Sequence, residues 1–181
     1  EDRQLFPGDG VRAAGLHGVL DTALQGQGLL VSNEIIPGRA KILSQNVERM
    51  GTTNALVCNE SPERIASHFP LFFDRIVVDA PCSGEGMFRK DAGAISEWSP
   101  ENVTLCKERQ EMILAYADAM LKPGGVLVYS TCTVNDKENQ AQVEKFLSAN
   151  PDFHVVLPKT AVPGADITPL GTLFLPHRNI R

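Results

Sequence analysis

The sequence predicts an α/β protein with a doubly wound, mostly parallel sheet. From residue 28 onward, short apolar segments of strand length alternate with longer amphipathic segments of helix length. The segments RIVVD (75–79) and VLVYS (126–130) are largely apolar, as is typical of strands that a parallel sheet buries on both faces. Alternation of strand and helix predicts a parallel sheet covered by helices.

Each element has its own local evidence. Residues 29–32 (LLVS) and 55–58 (ALVC) are expected to be strands, and 153–157 a further strand. Pro37 is placed to begin a helix over 38–50 and Gly51 to end it. A long helix is expected over 101–121, followed by the turn sequence KPGG (122–125), and another helix over 136–149.

Length and composition are those of one soluble globular domain spanning residues 1–181, expected in the cytoplasm. The chain has 43% hydrophobic and 22% charged residues, and its apolar runs are too short to span a membrane. No export signal is expected. The four cysteines form no C-x-x-C pair, which argues against a zinc site and a disulfide framework. With a formal net charge of −5, any nucleic acid must bind through a local groove or another domain.

Parallel doubly wound sheets bind ligands beyond the carboxyl ends of their strands, which directs attention to three places. The first is Glu34, after the strand 29–32. A carboxylate at this place can accept hydrogen bonds from the ribose of a nucleoside cofactor, although it can also serve only as a favourable charge near a helix start. Glu34 alone does not distinguish a nicotinamide enzyme from a methyltransferase.

The second and third places each present a cysteine. In DAPCSGEG (79–86), a proline and two glycines shape a tight loop that carries Asp79 and Cys82. In STCT (130–133), Cys132 follows the next predicted strand. Either cysteine alone is more often a packing residue, but two of them at the same end of one sheet favour a functional role. Cys58, in a strand, and Cys106, in a helix, are interpreted as packing residues.

These motifs resemble the Sun/Nop family of RNA 5-methylcytosine methyltransferases. DAPCSGEG (79–86), YSTCT (129–133) and NE (33–34) carry the resemblance, and it covers residues 28 to about 157. GMFRKD (86–91), LKPGG (121–125) and ENQ (138–140) are closest to the bacterial F-type branch, which modifies small-subunit ribosomal RNA. The resemblance implies a Rossmann-like class I methyltransferase fold, S-adenosylmethionine as cofactor, and ribosomal RNA as partner.

The resemblance also implies residue roles. Cys132 would be the nucleophile, Cys82 would help to release the product, Asp79 would contact the target cytosine near the cofactor's methyl group, and Glu34 would hold the cofactor ribose. The chemistry needs such residues, because carbon five of cytosine becomes nucleophilic only after a thiolate has added to carbon six. A thiolate both adds and leaves readily. The target base must also leave its stack, so a single-stranded or flipped nucleotide is expected.

The sequence departs from the family pattern in three places. Residues 18–21 (GVLD) are expected to be the first strand, and the family has a Gly-rich cofactor loop after it. Here only about seven residues separate Asp21 from the next strand, whereas a parallel crossover needs about a dozen. Either 18–21 is not the first strand, or residues are omitted before the next strand. We expect omission, so that Asp21 and Thr22 are not joined by a peptide bond. Asn59, Glu60 and Ser61 all remain candidates for the family's acidic residue near the adenine. The chain stops at Arg181, where the family continues.

Two other functions compete with this interpretation. The missing cofactor loop is compatible with an inactive RNA-binding or assembly domain of methyltransferase fold, although both cysteines oppose it. A nicotinamide-dependent dehydrogenase has only the fold and Glu34 in its favour, and the chain lacks G-x-G-x-x-G. Titration of the cofactor distinguishes the first of these from an enzyme.

Overall fold

A computed structural model describes residues 4–7, 24, 27–90, 92–157 and 165–173, with the backbone alone at 4–7, 92, 97 and 173. The strands are β1 (Gln4–Pro7), β2 (Leu30–Asn33), β3 (Ala55–Cys58), β4 (Phe73–Asp79), β5 (Leu121–Ser130), β6 (Asp166–Thr168) and β7 (Gly171–Leu173). The α-helices are α1 (Pro37–Met50), α2 (Pro62–His68), α3 (Ala92–Glu97), α4 (Pro100–Met120) and α5 (Gln140–Ala149). Short 3-10 turns occupy Glu85–Met87 and Asp136–Glu138.

The first five strands form one parallel sheet in the order β3-β2-β1-β4-β5. Strand order runs outward from β1 in both directions, which is the doubly wound pattern, so the predicted fold class is confirmed. The strand order reverses beside β1. The loops after β2 and β4, which flank β1, leave the sheet at its carboxyl edge. In such sheets ligands bind at that edge.

The predicted first strand over 18–21 and the predicted break between Asp21 and Thr22 lie outside the described residues. The place beside β2 is taken by Gln4–Pro7, whose residues pair in parallel from Gln4 with Leu30 to Pro7 with Asn33. Twenty-two residues, 8–29, therefore connect these two neighbouring strands. A connection of this length exceeds the dozen or so residues that a parallel crossover needs, so the topology alone requires no omitted residues.

The chain divides into two compact units. One consists of residues 1–81 and 112–130 and contains the five-stranded sheet. The other consists of residues 82–111 and 131–181 and contains the antiparallel pair β6-β7. Among the described residues, no helix is long and apolar enough to cross a membrane.

Helix α1 follows the predicted pattern closely. Pro37 occupies its first turn, and Gly51 ends it with φ 72°, a left-handed conformation that glycine adopts without steric cost. The buried side chains Leu43 and Val47 lie on one face and pack against β3. One proline, one glycine and an apolar stripe thus determine where α1 starts, where it ends and which face packs against the sheet.

Two predictions about strands were wrong. Residues 153–157 form no strand; Phe153 instead packs edge-on against Phe146 of α5, with ring centroids 4.9 Å apart, and Val156 is 72% exposed. Strand β5 is not buried on both faces, because it is the edge strand of the described sheet and Val126 and Val128 are exposed. An apolar run predicts a strand but not its depth in the sheet.

Two element boundaries also differ from prediction. β5 begins at Leu121 and runs through the predicted turn 122–125, with a register shift in its pairing with β4 between Phe73 and Arg75. A bulge of this kind accommodates extra residues without ending the strand. The predicted helix 136–149 is divided into the 3-10 turn Asp136–Glu138 and α5.

Candidate active site

The side chains of Cys82 and Cys132 meet. Their Sγ atoms are 2.8 Å apart, and the backbone N–H of Cys132 also donates to Sγ of Cys82 at 3.3 Å. Both cysteines are free thiols; Cys82 is half-buried and Cys132 is exposed. The prediction that the two thiols lie together is confirmed.

The pairing of β4 with β5 accounts for this meeting. Asp79 and Ser130 are partners at the ends of the two strands, and the N–H of Ala80 continues the ladder with a 2.8 Å bond to the carbonyl oxygen of Ser130. Cys82 follows Asp79 by three residues and Cys132 follows Ser130 by two. Because parallel strands end at the same edge, two loops of similar short length bring the thiols together.

The surroundings of the Cys82 thiol disfavour its ionisation. The hydrogen bond with Cys132, followed by burial, raises the pKa of the Cys82 thiol well above its usual range. Two thiolates in contact would repel each other, so only one member of the pair ionises readily. If Cys132 is the member that ionises, Cys82 remains a thiol that can donate its S–H to the Cys132 sulfur.

The backbone of Gly86 lies against the backbone of Cys132. Its N–H donates to the carbonyl oxygen of Cys132 at 3.0 Å. A Cβ placed on Gly86 would overlap that same oxygen and would lie 3.3 Å from the carbonyl carbon. Residue 86 therefore has to be glycine for this approach, a requirement of backbone contact rather than of backbone conformation.

Glu138 anchors the loop that carries Cys82. Its side chain is fully buried, and its Oε2 accepts 2.9 Å hydrogen bonds from the backbone N–H of Ser83 and from Nε2 of Gln110. Gln142 in turn donates to Oε1 of Gln110 at 3.0 Å. Hydrogen bonds to a buried carboxylate are among the stronger ones in proteins, so this network fixes the residue next to Cys82.

Asn139 anchors the loop that carries Cys132. Its Oδ1 accepts a 2.6 Å hydrogen bond from Oγ1 of Thr131. Its Nδ2 donates to the carbonyl oxygens of Thr133 at 3.1 Å and Asn135 at 3.0 Å. One amide thus bonds to the residues on both sides of Cys132. In the sequence, ENQ (138–140) only marks the family resemblance, and no local pattern predicts a role for Glu138 or Asn139.

Glu85 joins the Cys82 loop to its surroundings. Its Oε1 accepts hydrogen bonds from Nε1 of Trp98 at 3.0 Å and from Nδ2 of Asn135 at 3.1 Å. A third polar contact joins the two cysteine loops directly, since Oγ of Ser83 lies 3.1 Å from Oγ1 of Thr133. Together these bonds make the cysteine loops one connected polar cluster.

Glu34 lies at the end of β2, as expected, and its side chain is buried. Its Oε1 accepts a 2.9 Å hydrogen bond from the N–H of Ile36, and its carbonyl oxygen accepts a 2.6 Å bond from Nδ2 of Asn59. Ile36 is the residue that precedes α1. The carboxylate therefore stabilises the turn that leads into the helix.

The loop after β3 is bonded to the loop after β2. The side-chain amide of Asn33 donates to the carbonyl oxygen of Glu60 at 2.8 Å and accepts from the N–H of Glu60 at 3.0 Å. Of the three candidates near the adenine, Asn59 holds the backbone of Glu34, the Glu60 carboxylate pairs with Arg64 at 2.8 Å, and Ser61 caps α2. Each thus has a local structural bond, and none is singled out.

Asp79 ends β4 and is partly exposed. Oγ of Ser130 donates to its Oδ1 at 3.3 Å. Of the other cysteines, Cys106 is buried in α4 and Cys58 is half-buried in β3, and burial raises the pKa of both thiols. Within the described ranges, no cluster of three or more histidine, cysteine or acidic side chains could hold a metal ion.

Comparison with known proteins identifies relatives of this chain. Residues 14–180 match the family model described as 16S rRNA methyltransferase RsmB/F. The ribosomal RNA small subunit methyltransferase F of Serratia proteamaculans is 40% identical over 151 residues, which are 83% of this chain and 29% of that protein. The protein of the same name from Pectobacterium carotovorum is 44% identical over 126 residues, 70% of this chain and 26% of its own length. The chain thus spans less than a third of these relatives.

Solved structures share the fold. A methyltransferase homolog protein from Pyrococcus horikoshii superposes with a TM-score of 0.73 at 24% identity, covering 94% of this chain and 52% of that one. NSun6 from the same organism, solved with SFG, gives a TM-score of 0.67 at 21% identity and covers 80% of this chain and 37% of its own. At these identities the likeness shows a common fold.

Proposed function

The chain belongs to the 16S rRNA methyltransferase RsmB/F family, and on that premise we propose that it carries the catalytic cysteines of an RNA cytosine-5 methyltransferase. The enzyme transfers a methyl group from S-adenosylmethionine to carbon five of a cytosine in small-subunit ribosomal RNA. The observation that carries this proposal is the contact of Cys82 with Cys132 at 2.8 Å. Methylation at carbon five needs a nucleophile and a second group that helps to release it, and the two thiols supply both.

Cys132 is the nucleophile in this proposal. Its thiolate adds to carbon six of the cytosine: the S–C bond forms, and the ring's π-electron pair shifts so that carbon five becomes nucleophilic. Bound S-adenosylmethionine supplies the electrophilic methyl group. Cys132 suits this role because it is exposed and because Cys82, as a protonated thiol, can donate to its sulfur and stabilise the anion.

Cys82 acts after methylation. The proton on carbon five must leave, its electron pair re-forms the ring double bond, and the S–C bond to Cys132 breaks. In the free enzyme the first cause of the raised pKa of Cys82 is its bond with Cys132. Once Cys132 is a thioether in the adduct it can no longer hold a negative charge, so the pKa of Cys82 falls. Cys82 can then lose its proton to solvent and assist the removal of the carbon-five proton.

Glu34 and Asp79 serve binding in this proposal. Both lie at the carboxyl ends of strands of the parallel sheet, the edge at which such folds hold nucleoside cofactors. Glu34 fits this purpose because the N–H of Ile36 fixes its carboxylate at this edge of the sheet. Asp79 would contact the target cytosine near the methyl group. RNA is the partner, and no membrane or metal is part of the proposed reaction, which takes place in the cytoplasm.

The direct test is to map 5-methylcytosine in ribosomal RNA by bisulfite sequencing, in cells with the gene and in cells without it. The proposal expects one or a few small-subunit cytosines to lose the modification when the gene is deleted. Complementation with the full-length gene should restore it, and complementation with the Cys132→Ala gene should not. Unchanged small-subunit methylation would refute the assignment of ribosomal RNA as substrate.

A further inference from the structure

Glu138 and Asn139 are adjacent in sequence and hold different loops. Glu138 bonds to the backbone of Ser83, the residue after Cys82. Asn139 bonds to Thr131 and Thr133, the residues on either side of Cys132. Two consecutive residues before α5 therefore each form hydrogen bonds to a different cysteine loop. A rigid element between two loops fixes the distance between what they carry.

We propose that the dipeptide Glu138-Asn139 is a positioning device that sets the separation and orientation of the Cys82–Cys132 thiol pair. The inference rests on the proposed function for its purpose, since a nucleophile and its releasing partner must reach the same cytosine. Neither residue is assigned to the chemistry. Glu138 acts through Ser83, and Asn139 acts through Thr131 and Thr133.

The environment of Glu138 supports a positioning role over a surface role. A fully buried carboxylate is costly unless its oxygens are bonded. Gln110 shares Oε2 of Glu138 with the Ser83 N–H, and Gln142 fixes Gln110 and also donates to the carbonyl oxygen of Lys107 at 2.7 Å. The carboxylate is thus tied to α4 and α5, and the Cys82 loop is tied to the carboxylate.

Asn139 supports the same role in a different way. It lies between the 3-10 turn Asp136–Glu138 and α5, with φ −118° and ψ −94°, outside the helical region. Its amide makes three bonds, and two of them enclose Cys132 from both sides along the chain. An aspartate here would keep the acceptor for Thr131 but lose both donors, so the side chain is used as an amide specifically.

The test measures thiol proximity without requiring methyl transfer. The full-length protein is equilibrated with oxidised glutathione, which forms a Cys82–Cys132 disulfide and releases two molecules of reduced glutathione. The equilibrium gives the effective concentration of one thiol at the other. The variants are Asn139→Ala, Glu138→Ala and Glu138→Gln. The matched control is Asn150→Ala, which removes a 2.8 Å side-chain bond to the carbonyl of Phe146 at the far end of α5.

The proposal expects Asn139→Ala and Glu138→Ala to lower the effective concentration at least about tenfold, the scale of losing one or two net hydrogen bonds. Glu138→Gln should stay within about threefold of the wild type, because one amide oxygen can accept both bonds that Oε2 accepts. Asn150→Ala should leave the value unchanged. If Glu138→Ala fails to fold by circular dichroism, Asn139→Ala decides the test. An effective concentration in Asn139→Ala equal to that of Asn150→Ala would overturn the proposal.

This readout separates the inference from the proposed function. If the wild-type protein methylates no RNA, yet Asn139→Ala weakens the thiol pair, the positioning role stands and the proposed function fails. If methylation occurs and Asn139→Ala leaves the pair intact, the proposed function stands and the positioning role fails. With both correct, Asn139→Ala should lower kcat for methylation at least about tenfold while the Kd for S-adenosylmethionine stays unchanged.

Discussion

The N–H of Gly86 donates a 3.0 Å hydrogen bond to the carbonyl oxygen of Cys132, and the same approach leaves no room for a side chain at position 86. Gly86→Ala should therefore displace the Cys132 backbone. Because a misplacement of about 1 Å can cost about a hundredfold in rate, we expect methylation to fall by about that factor. Steady-state kinetics on ribosomal RNA transcripts measures it.

Gly38→Ala is the matched control for Gly86→Ala. A Cβ on Gly38 would meet no atom within 4 Å, and Gly38 lies in the first turn of α1. We expect unchanged methylation and a free energy of unfolding that rises by up to about 1 kcal/mol, because alanine favours a helix over glycine. Equal activity in the two variants would show that the Gly86 contact does not constrain Cys132.

The four thiols should differ in their rates of alkylation. Iodoacetamide reacts with thiolates, and Cys132 is exposed, whereas the pKa of each of Cys58, Cys82 and Cys106 is raised. Cys132 should therefore be modified first at neutral pH, as measured by mass spectrometry of the peptides. In Cys132→Ala, the main cause of the raised pKa of Cys82 is gone, so Cys82 should react faster. Modification of Cys82 ahead of Cys132 in the wild type would contradict the assignment.

Stability should fall with alkaline pH because the pKa of the Cys82 thiol is raised in the folded protein. The pKa of Cys82 is raised in the folded state, so below the ordinary thiol pKa of roughly 8.5 the thiol is protonated in both states and its contribution is complete. Above that pH the unfolded chain loses the proton first, and the free energy of unfolding decreases. Urea denaturation between pH 7 and about 10 should show a smaller decline in Cys82→Ser, with Cys58 and Cys106 accounting for the remainder. An identical decline in both proteins would contradict the raised pKa.

Replacing Glu34 tests the cofactor role. Glu34→Ala should weaken S-adenosylmethionine binding by about 1–3 kcal/mol, the scale of charge-assisted hydrogen bonds, as measured by calorimetry. Glu34→Gln retains an acceptor for the N–H of Ile36 but removes the negative charge. It therefore distinguishes an effect of the turn on binding from an effect of the charge. Weak binding in both variants indicates a ribose contact that needs the carboxylate. Unchanged affinity in Glu34→Ala would leave Glu34 only its role in the turn, and no binding by the wild type would favour an inactive RNA-binding domain.

Sequence predicted those parts of the fold that depend on local signals. Pro37 and Gly51 mark the ends of α1, and apolar runs mark β2, β3 and β4. The predicted strand over 153–157 is wrong because a short apolar run also suits a segment in which one aromatic ring, Phe153, packs on α5. Helix α2 was not predicted, since at seven residues it shows little periodicity; its cap Ser61 was considered only as a binding residue.

In the site too, sequence predicts the features that depend on local signals and misses those that depend on distant contacts. Cys82 and Cys132 could be placed together, because the carboxyl ends of neighbouring parallel strands meet at one edge. Glu138 could not be found in this way, since an acidic residue before a helix is ordinarily a favourable exposed charge. Its burial and its bonds to Ser83 and Gln110 depend on residues 55 and 28 positions away. Such contacts leave no local pattern in the sequence.

If Cys132 attacks the cytosine and Cys82 releases the product, the covalent protein–RNA adduct reveals which thiol does which. Full-length wild type, Cys132→Ala and Cys82→Ala are incubated with small-subunit ribosomal RNA and S-adenosylmethionine and separated on a denaturing gel. We expect Cys82→Ala to accumulate an adduct that survives denaturation and Cys132→Ala to form none. Turnover by Cys82→Ala together with an adduct in Cys132→Ala would contradict it and reverse the two roles.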